Sequence, residues 1–339
     1  MSDPVPESSP AAREPRWRQF DAQWYLLRYP EVGDWMRDED HQDLHAFYLE
    51  TGQRYGHSPN RYFDEIWYRE TYADVRRDLI QEKYQSGFEH YCAEGYHGHS
   101  AHWLFDEVDY LRRYPELTRR SLQEQGFSNG YDHYLEVGEA RYYSGHRFFD
   151  DELCRRLALR YPDYFDSRIG LFASWLSLPS DIADAGRVSW YFDPVWYLER
   201  YPDVRRDIAE GRYSSALHHY LTNETPRLFD PQEMFSERFY ADTHPDVVAC
   251  LDMGSFRNGY EHFLLFGAHE GRAPEADVDL AAHRSRPQVR NGVRNHLYDS
   301  PFAHLVAARM GEGQRASLVE APEIEESQSR QVFEREAEA

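Results

Sequence analysis

Apolar and polar positions along this chain recur as two separate phrases. The first opens on an aromatic residue and an aspartate, passes through an aromatic–aliphatic cluster and stops at a proline. FDAQWYLLRYPEV begins at Phe20, FDEIWYRETYADV at Phe63, FDEVDYLRRYPEL at Phe105, FDDELCRRLALRYPDY at Phe149, FDPVWYLERYPDV at Phe192 and FSERFYADTHPDV at Phe235. Successive starts lie 43, 42, 44, 43 and 43 residues apart. A fixed period between about 20 and 50 residues marks a repeat architecture.

Each phrase reads as helix. Asp21, Asp64, Asp106, Asp150 and Asp193 stand where an N-cap accepts from the first free backbone N–H groups. The aromatic residue before each cap is placed to fold back on the first turn as a hydrophobic staple. Trp196, Tyr197 and Leu198 supply an apolar stripe, and Pro202 ends that helix because it lacks an N–H. A short second helix, PDVRRDIAE, ends near Gly211. The second phrase, GFEHYCAEG from Gly87, GYDHYLEVG from Gly130, ALHHYLTNE from Ala216 and GYEHFLLFG from Gly259, predicts a third helix with one buried face. Gly52, Gly95, Gly138 and Gly267 are expected there as left-handed C-caps. No period-two alternation is sustained, so the fold class is all-α: an α-solenoid of about six helical repeats over 17–277.

Residues 1–16 and the acidic end of the chain read as disordered. Residues 278–339 are expected to hold a degenerate cap starting at VDLAAHRSRPQV, a short amphipathic helix, YDSPFAHLVAARM, and the acidic tail. Tyr298, Phe302, Leu305 and Val306 would dock that helix on a partner or back on the array. The fourth repeat departs most: IGLFASWLSLPSDIADAG keeps the length and apolar content but loses the His-Tyr pair.

A net charge of −22 speaks against nucleic acid and against anionic membrane surfaces. No run of about 18 apolar residues suggests membrane insertion. Cys92, Cys154 and Cys250 lie far apart without a CxxC and read as reduced thiols. With no secretory signal visible, the expected location is cytoplasmic, barring an unconventional export route.

The combined phrase, FDxxWYLxxYPDV, then GxxHYLxxG, then a GHS or EGR turn, resembles a helical repeat of bacterial proteins. That repeat occurs beside glycosyltransferase domains in surface-polysaccharide loci and in some large repeat-rich surface proteins. The resemblance spans about Phe20 to Pro274 and implies a setting in glycan assembly, not an activity. The EGR turn itself stands only at Glu270–Arg272.

Candidate chemistry is sparse. Two DxD triplets, Asp38-Glu39-Asp40 and Asp277-Val278-Asp279, lack a surrounding βαβ unit. Cys92, His97, His99 and His102 concentrate zinc-type ligands, although His99 has counterparts in His57 and His146. The recurring His90-Tyr91, His133-Tyr134 and His219-Tyr220 pairs read as structural, since a catalytic site seldom recurs along an array. No catalytic residue, cofactor or metal is therefore expected. Tyr55, Tyr96, Tyr142 and Tyr143, near the inter-repeat turns, are candidate surface contacts. The expectation is a non-enzymatic scaffold or adaptor for a protein partner in surface-polysaccharide biosynthesis. The alternatives are a carbohydrate-binding module that uses exposed Tyr and Trp, or an accessory part of a glycosyltransferase.

Overall fold

The computed structural model describes residues 13–38, 43–295 and 297–311. The first DxD triplet and the acidic tail beyond residue 311 therefore lie wholly or partly outside the described residues. Every regular element among the described residues is helical. The chain divides into two compact units, the first ending at Gln232 and the second beginning at Glu233.

The second repeat shows how a unit is built. Asp64 caps the helix Glu65–Thr71 by accepting from the Trp67 N–H. Phe63, just before the cap, packs on Tyr68 at a ring separation of 5.1 Å, which is the hydrophobic-staple spacing. The helix Ala73–Ile80 follows, and the chain then turns through a left-handed residue, Glu82 (φ 56°). Gly126, Gly211 and Gly254 hold that turn in later repeats, where positive φ suits glycine. Ser86 caps the third helix, Gly87–Ala93. Asp21, Asp106, Asp150, Asp193 and, in the sixth repeat, Ser236 make the same cap. Each cap carries about 0.5–2 kcal/mol.

The first and third helices and the turn after them meet at one buried hydroxyl. Tyr68 Oη lies 2.9 Å from Nδ1 of His90, on the third helix, and 2.9 Å from Nδ1 of His99, in the following turn. The same contact joins Tyr110 to His133, Tyr197 to His219 and Tyr240 to His262 at 2.8–3.0 Å. In the first repeat Phe47 stands at the third-helix histidine position, and His57 from the turn takes over at 2.8 Å from Tyr25 Oη. The fourth repeat loses both partners together: Cys154 stands for the tyrosine and Ser174 for the histidine.

This hydroxyl explains the glycines at the end of the third helix. None of Gly52, Gly95, Gly138 and Gly267 has a positive φ, so they are not the left-handed caps their position suggests. A Cβ on Gly95 would instead overlap the Tyr68 hydroxyl, and one on Gly138 would lie 2.6 Å from Tyr110 Oη. Gly52 and Gly267 face Tyr25 and Tyr240 in the same way. In the third and sixth repeats the helix reaches this glycine as a π turn, Tyr134–Gly138 and Phe263–Gly267.

A second buried joint fixes the start of the third helix. Glu65, fully buried, accepts from the Gly87 and Phe88 N–H groups at 2.7 and 2.9 Å. Glu107 and Glu237 repeat this on Gly130 and Tyr131, and on Gly259 and Tyr260. A carboxylate there satisfies orphan donors and faces the positive helix end. Where the position holds Asp151 or Pro194, another carboxylate substitutes: Glu139 accepts from Leu171 and Phe172, and Asp184 from Ala216. Finally, the cap residue's own N–H reaches the carbonyl that precedes the next repeat (Asp64 to Ala101, Asp193 to Pro231), bringing the two ends of each repeat together.

The first unit holds the first five repeats, and its contacts also join repeats that are not consecutive. Tyr131 Oη donates to the Tyr62 carbonyl, Arg61 reaches Ser177, and Trp103 stacks on His218. Arg13 and Arg16, inside the segment expected to be disordered, pair with Glu136 at 3.0 and 2.8 Å, and Trp17 is fully buried against Tyr91.

The second unit holds the sixth repeat and, where a degenerate cap is expected, the three helices of a seventh. Its helices are Leu280–Ser285, Pro287–Arg294 and Pro301–Arg309. His283 takes the tyrosine position and meets His304 at 3.1 Å. Phe302 and Val306 are fully buried, Leu305 is half-buried, and Tyr298 packs on His304. The expected docking helix is thus the third helix of its own repeat, with Phe302 edge-on to Phe263 at 4.9 Å.

Gly95→Ala should destabilise the protein by about 1–3 kcal/mol through overpacking. Tyr68→Phe, which removes the obstructing hydroxyl, should make the double variant less destabilised than the sum of the single changes. Denaturant unfolding of the four-member cycle measures this. Gly33→Ala, with open space around its Cβ, is the control.

Candidate functional site

The altered half of the fourth repeat and His218 of the fifth line a cleft of about 1020 Å³ in the first unit. Its walls come from the first helix of the first repeat (Asp21, Trp24, Leu27, Arg28) and the following junction (Arg61, Asp64, Ile66). The rest comes from the junction at His102 and Trp103, the altered half of the fourth repeat (Asp163 to Ala183), and the fifth repeat around Tyr213 and His218.

Two of these residues can be understood from the repeat itself. In the second, third and sixth repeats the residue before the third-helix histidine is acidic, and it accepts from a backbone N–H four residues earlier (Glu89 from Gln85, Asp132 from Ser128, Glu261 from Arg257). His218 stands there in the fifth repeat, and its Nδ1 accepts from the Ser214 N–H at 3.0 Å. The imidazole then lies flat on Trp103, 4.8 Å between centroids and 10° between planes. His102 belongs to the junction set, in which a side chain accepts from the N–H two residues on. Asn60, His146 and Ser189 do the same on Tyr62, Phe148 and Tyr191, and His102 Nδ1 accepts from Leu104 at 3.1 Å.

The fourth repeat supplies the floor. Ser174 and Trp175 replace the His-Tyr pair; Trp175 is buried, and its Nε1 has no hydrogen-bond partner. Asp166 is gripped by Arg168 at 2.6–3.1 Å, which holds its carboxyl down to about 2. Arg61 is held between Asp21 at 2.9 Å and Ser177 at 2.7 Å.

Of the residues singled out from sequence, His102 and the caps Asp21 and Asp64 line the cleft. Cys92, His97, His99 and His102 do not come together: His99 sits on Tyr68 and His102 in its junction turn. Among the described residues the group that does converge is Asp78, His90 and Glu94, and Lys83, the chain's one lysine, already bridges the two carboxylates at 2.9 and 2.7 Å. Of the candidate surface tyrosines, Tyr55 and Tyr142 are open, whereas Tyr143 stacks on Tyr114 and Tyr96 on Trp17. None of the four lines the cleft. The sequence signal for the cleft was irregularity: a His-His where the second, third and sixth copies read acid-His, and a fourth repeat without its pair.

No helix among the described residues is long and apolar enough to cross a membrane. Comparison of the chain with protein-family models, with curated proteins and with solved structures finds no match.

Burial pushes the imidazoles of His57, His90, His133 and His262 below their ordinary range, and those of His102, His146 and His218 down to about 3. The unfolded chain binds these protons below about pH 6.5. The stability they carry is therefore present above that pH and lost as the pH falls. Burial acts oppositely on Glu65, Glu107, Asp151 and Asp184, pushed up to about 7, whose contribution is lost as the pH rises from about 4.5 to 7. The imidazoles outnumber the carboxyls, so the melting temperature should rise from pH 5 to 6.5 and level off by pH 7.5. Glu65→Gln/Glu107→Gln should steepen that rise. A melting temperature that falls over pH 5–6.5 would contradict the assignment.

Proposed function

We propose that this chain is a non-catalytic binding protein that holds an oligosaccharide in the cleft of its first unit. The observation that carries the reading is the coincidence of two things. The repeat gives up its common residues at His218 and through the altered half of the fourth copy, and both line the same cleft of about 1020 Å³.

The lining chemistry suits a sugar. Trp24, Tyr164 and Tyr213 present partly exposed rings, Tyr164 being 48% exposed, and flat rings cover the C–H faces of a pyranose. Asp21, Asp64, Asp163 and Asp166 lie beside them as acceptors for hydroxyl groups. The volume is at the upper end of ordinary ligand sites of about 300–1,000 Å³ and accommodates several sugar rings. Acid–base chemistry finds little support, because Asp166 is held ionised by Arg168 and the cleft imidazoles are held neutral. The resemblance of the repeat to units beside glycosyltransferases points to the same setting, bacterial surface-polysaccharide biosynthesis.

A second reading, an adaptor for a protein partner, is favoured by Leu27 and Ile66. They are 76% and 57% exposed on the wall of the same cleft.

A printed array of bacterial oligosaccharides tests both. The full chain should retain a subset of sugars, and Trp24→Ala and Tyr164→Ala should each weaken binding about tenfold, the loss of roughly 1.4 kcal/mol of ring contact. If no sugar is retained, while Leu27→Asp and Ile66→Asp abolish capture of a purified host protein, the adaptor reading replaces this one.

A further inference from the structure

The floor of the cleft is chemically one-sided. His102 and His218 each use Nδ1 as an acceptor for a backbone N–H, from Leu104 at 3.1 Å and Ser214 at 3.0 Å. An Nδ1 that accepts carries no proton, so the proton of each neutral ring resides on Nε2. Burial keeps both rings neutral. Neither Nε2 has a hydrogen-bond partner among the described residues. Trp175 Nε1 adds a third N–H, buried and unpartnered in the same lining. A buried donor left unpaired costs free energy, which an arriving acceptor recovers.

The charged groups around this floor point the same way. Arg61 and Arg168 are already satisfied by Asp21, Ser177 and Asp166. Arg28 lies at the exposed edge over its own neighbour Tyr29, 5.3 Å from the ring centre. Four carboxylates share the lining with these three guanidiniums, on a chain of net charge −22. Carboxylates outnumber guanidiniums four to three in the lining, so an anionic sugar would meet net repulsion even beside Arg28, which lies near enough to His218 to add to burial in lowering its imidazole.

We infer that the cleft selects an uncharged oligosaccharide, whose ring and hydroxyl oxygens accept from the N–H groups of Trp175, His102 and His218 while its hydroxyl protons go to the rim carboxylates. The inference rests on the oligosaccharide reading above and adds which class of sugar is bound and by which atoms.

The test uses the full chain and an array carrying neutral oligosaccharides beside uronate-containing and sulfated ones. Retention is expected on neutral sugars alone. With the best neutral binder, Trp175→Phe and His218→Phe should each weaken affinity about 3- to 10-fold, the range for one hydrogen bond. His218→Phe keeps a ring on Trp103, and Trp175→Phe removes a donor that nothing in the free protein uses, so both variants should fold. ¹⁵N-resolved histidine spectra at pH 7 should show both rings as the Nε2–H tautomer. Preferred retention of acidic sugars, unchanged affinity in both folded variants, or an Nδ1–H or doubly protonated ring would overturn the inference and leave the oligosaccharide reading standing. Retention of no sugar of either class would remove the underlying reading itself.

Discussion

The architecture depends on one contact, a tyrosine hydroxyl buried against a histidine Nδ1 beneath a glycine. The tyrosine rises from the first helix, the histidine comes from the third helix or its following turn, and in the first, second, third and sixth repeats a glycine lets the hydroxyl pass where a Cβ would overlap it. Burying a hydroxyl without a partner would cost about 1–3 kcal/mol in protein settings. The pairing therefore constrains two positions at once, and the glycine adds a third. This is why the first repeat, having Phe47 in place of the histidine, retains the contact through His57. It is also why the fourth repeat gives up tyrosine and histidine together, since either one alone would leave a buried polar group unsatisfied.

A second constraint, the buried carboxylate on the third-helix N-terminus, obeys the same logic. Its source shifts from Glu65 and Glu107 to Glu139 in the fourth repeat, which takes both N–H groups, and to Asp184 in the fifth, which takes the first of them. What the fold conserves from repeat to repeat is a satisfied donor or acceptor, and the residue that satisfies it is free to come from elsewhere in the chain. That freedom releases the fourth repeat and His218 from the common pattern, and it is these released positions that form the cleft.

Much of the fold was legible from spacing. The period, the aspartate caps and the aromatic staple are local features, and local chemistry determines them. The glycines at the third-helix end were visible but their reason was not, because it lies in a hydroxyl 27 or 28 residues earlier in the chain. The seventh copy read from sequence only as a degenerate cap, because Val278 and His283 replace the aromatic residues that mark the others; the His283–His304 contact shows that the joint has been rebuilt. The cleft was the least legible part. It gathers residues from Asp21 to His218, and beside regular caps such as Asp21 and Asp64 its other members, His218 and the fourth-repeat residues, show in sequence only as exceptions to a rule.

Hydrogen exchange followed by mass spectrometry tests the central claim most directly, since protection reports how firmly each third helix is held. If the tyrosine–histidine joint pins these helices, peptides covering 87–95, 130–138 and 259–267 should exchange markedly more slowly than the peptide covering 170–176, which lacks it. Equal protection in all four, or slowest exchange in the fourth repeat, would contradict the account.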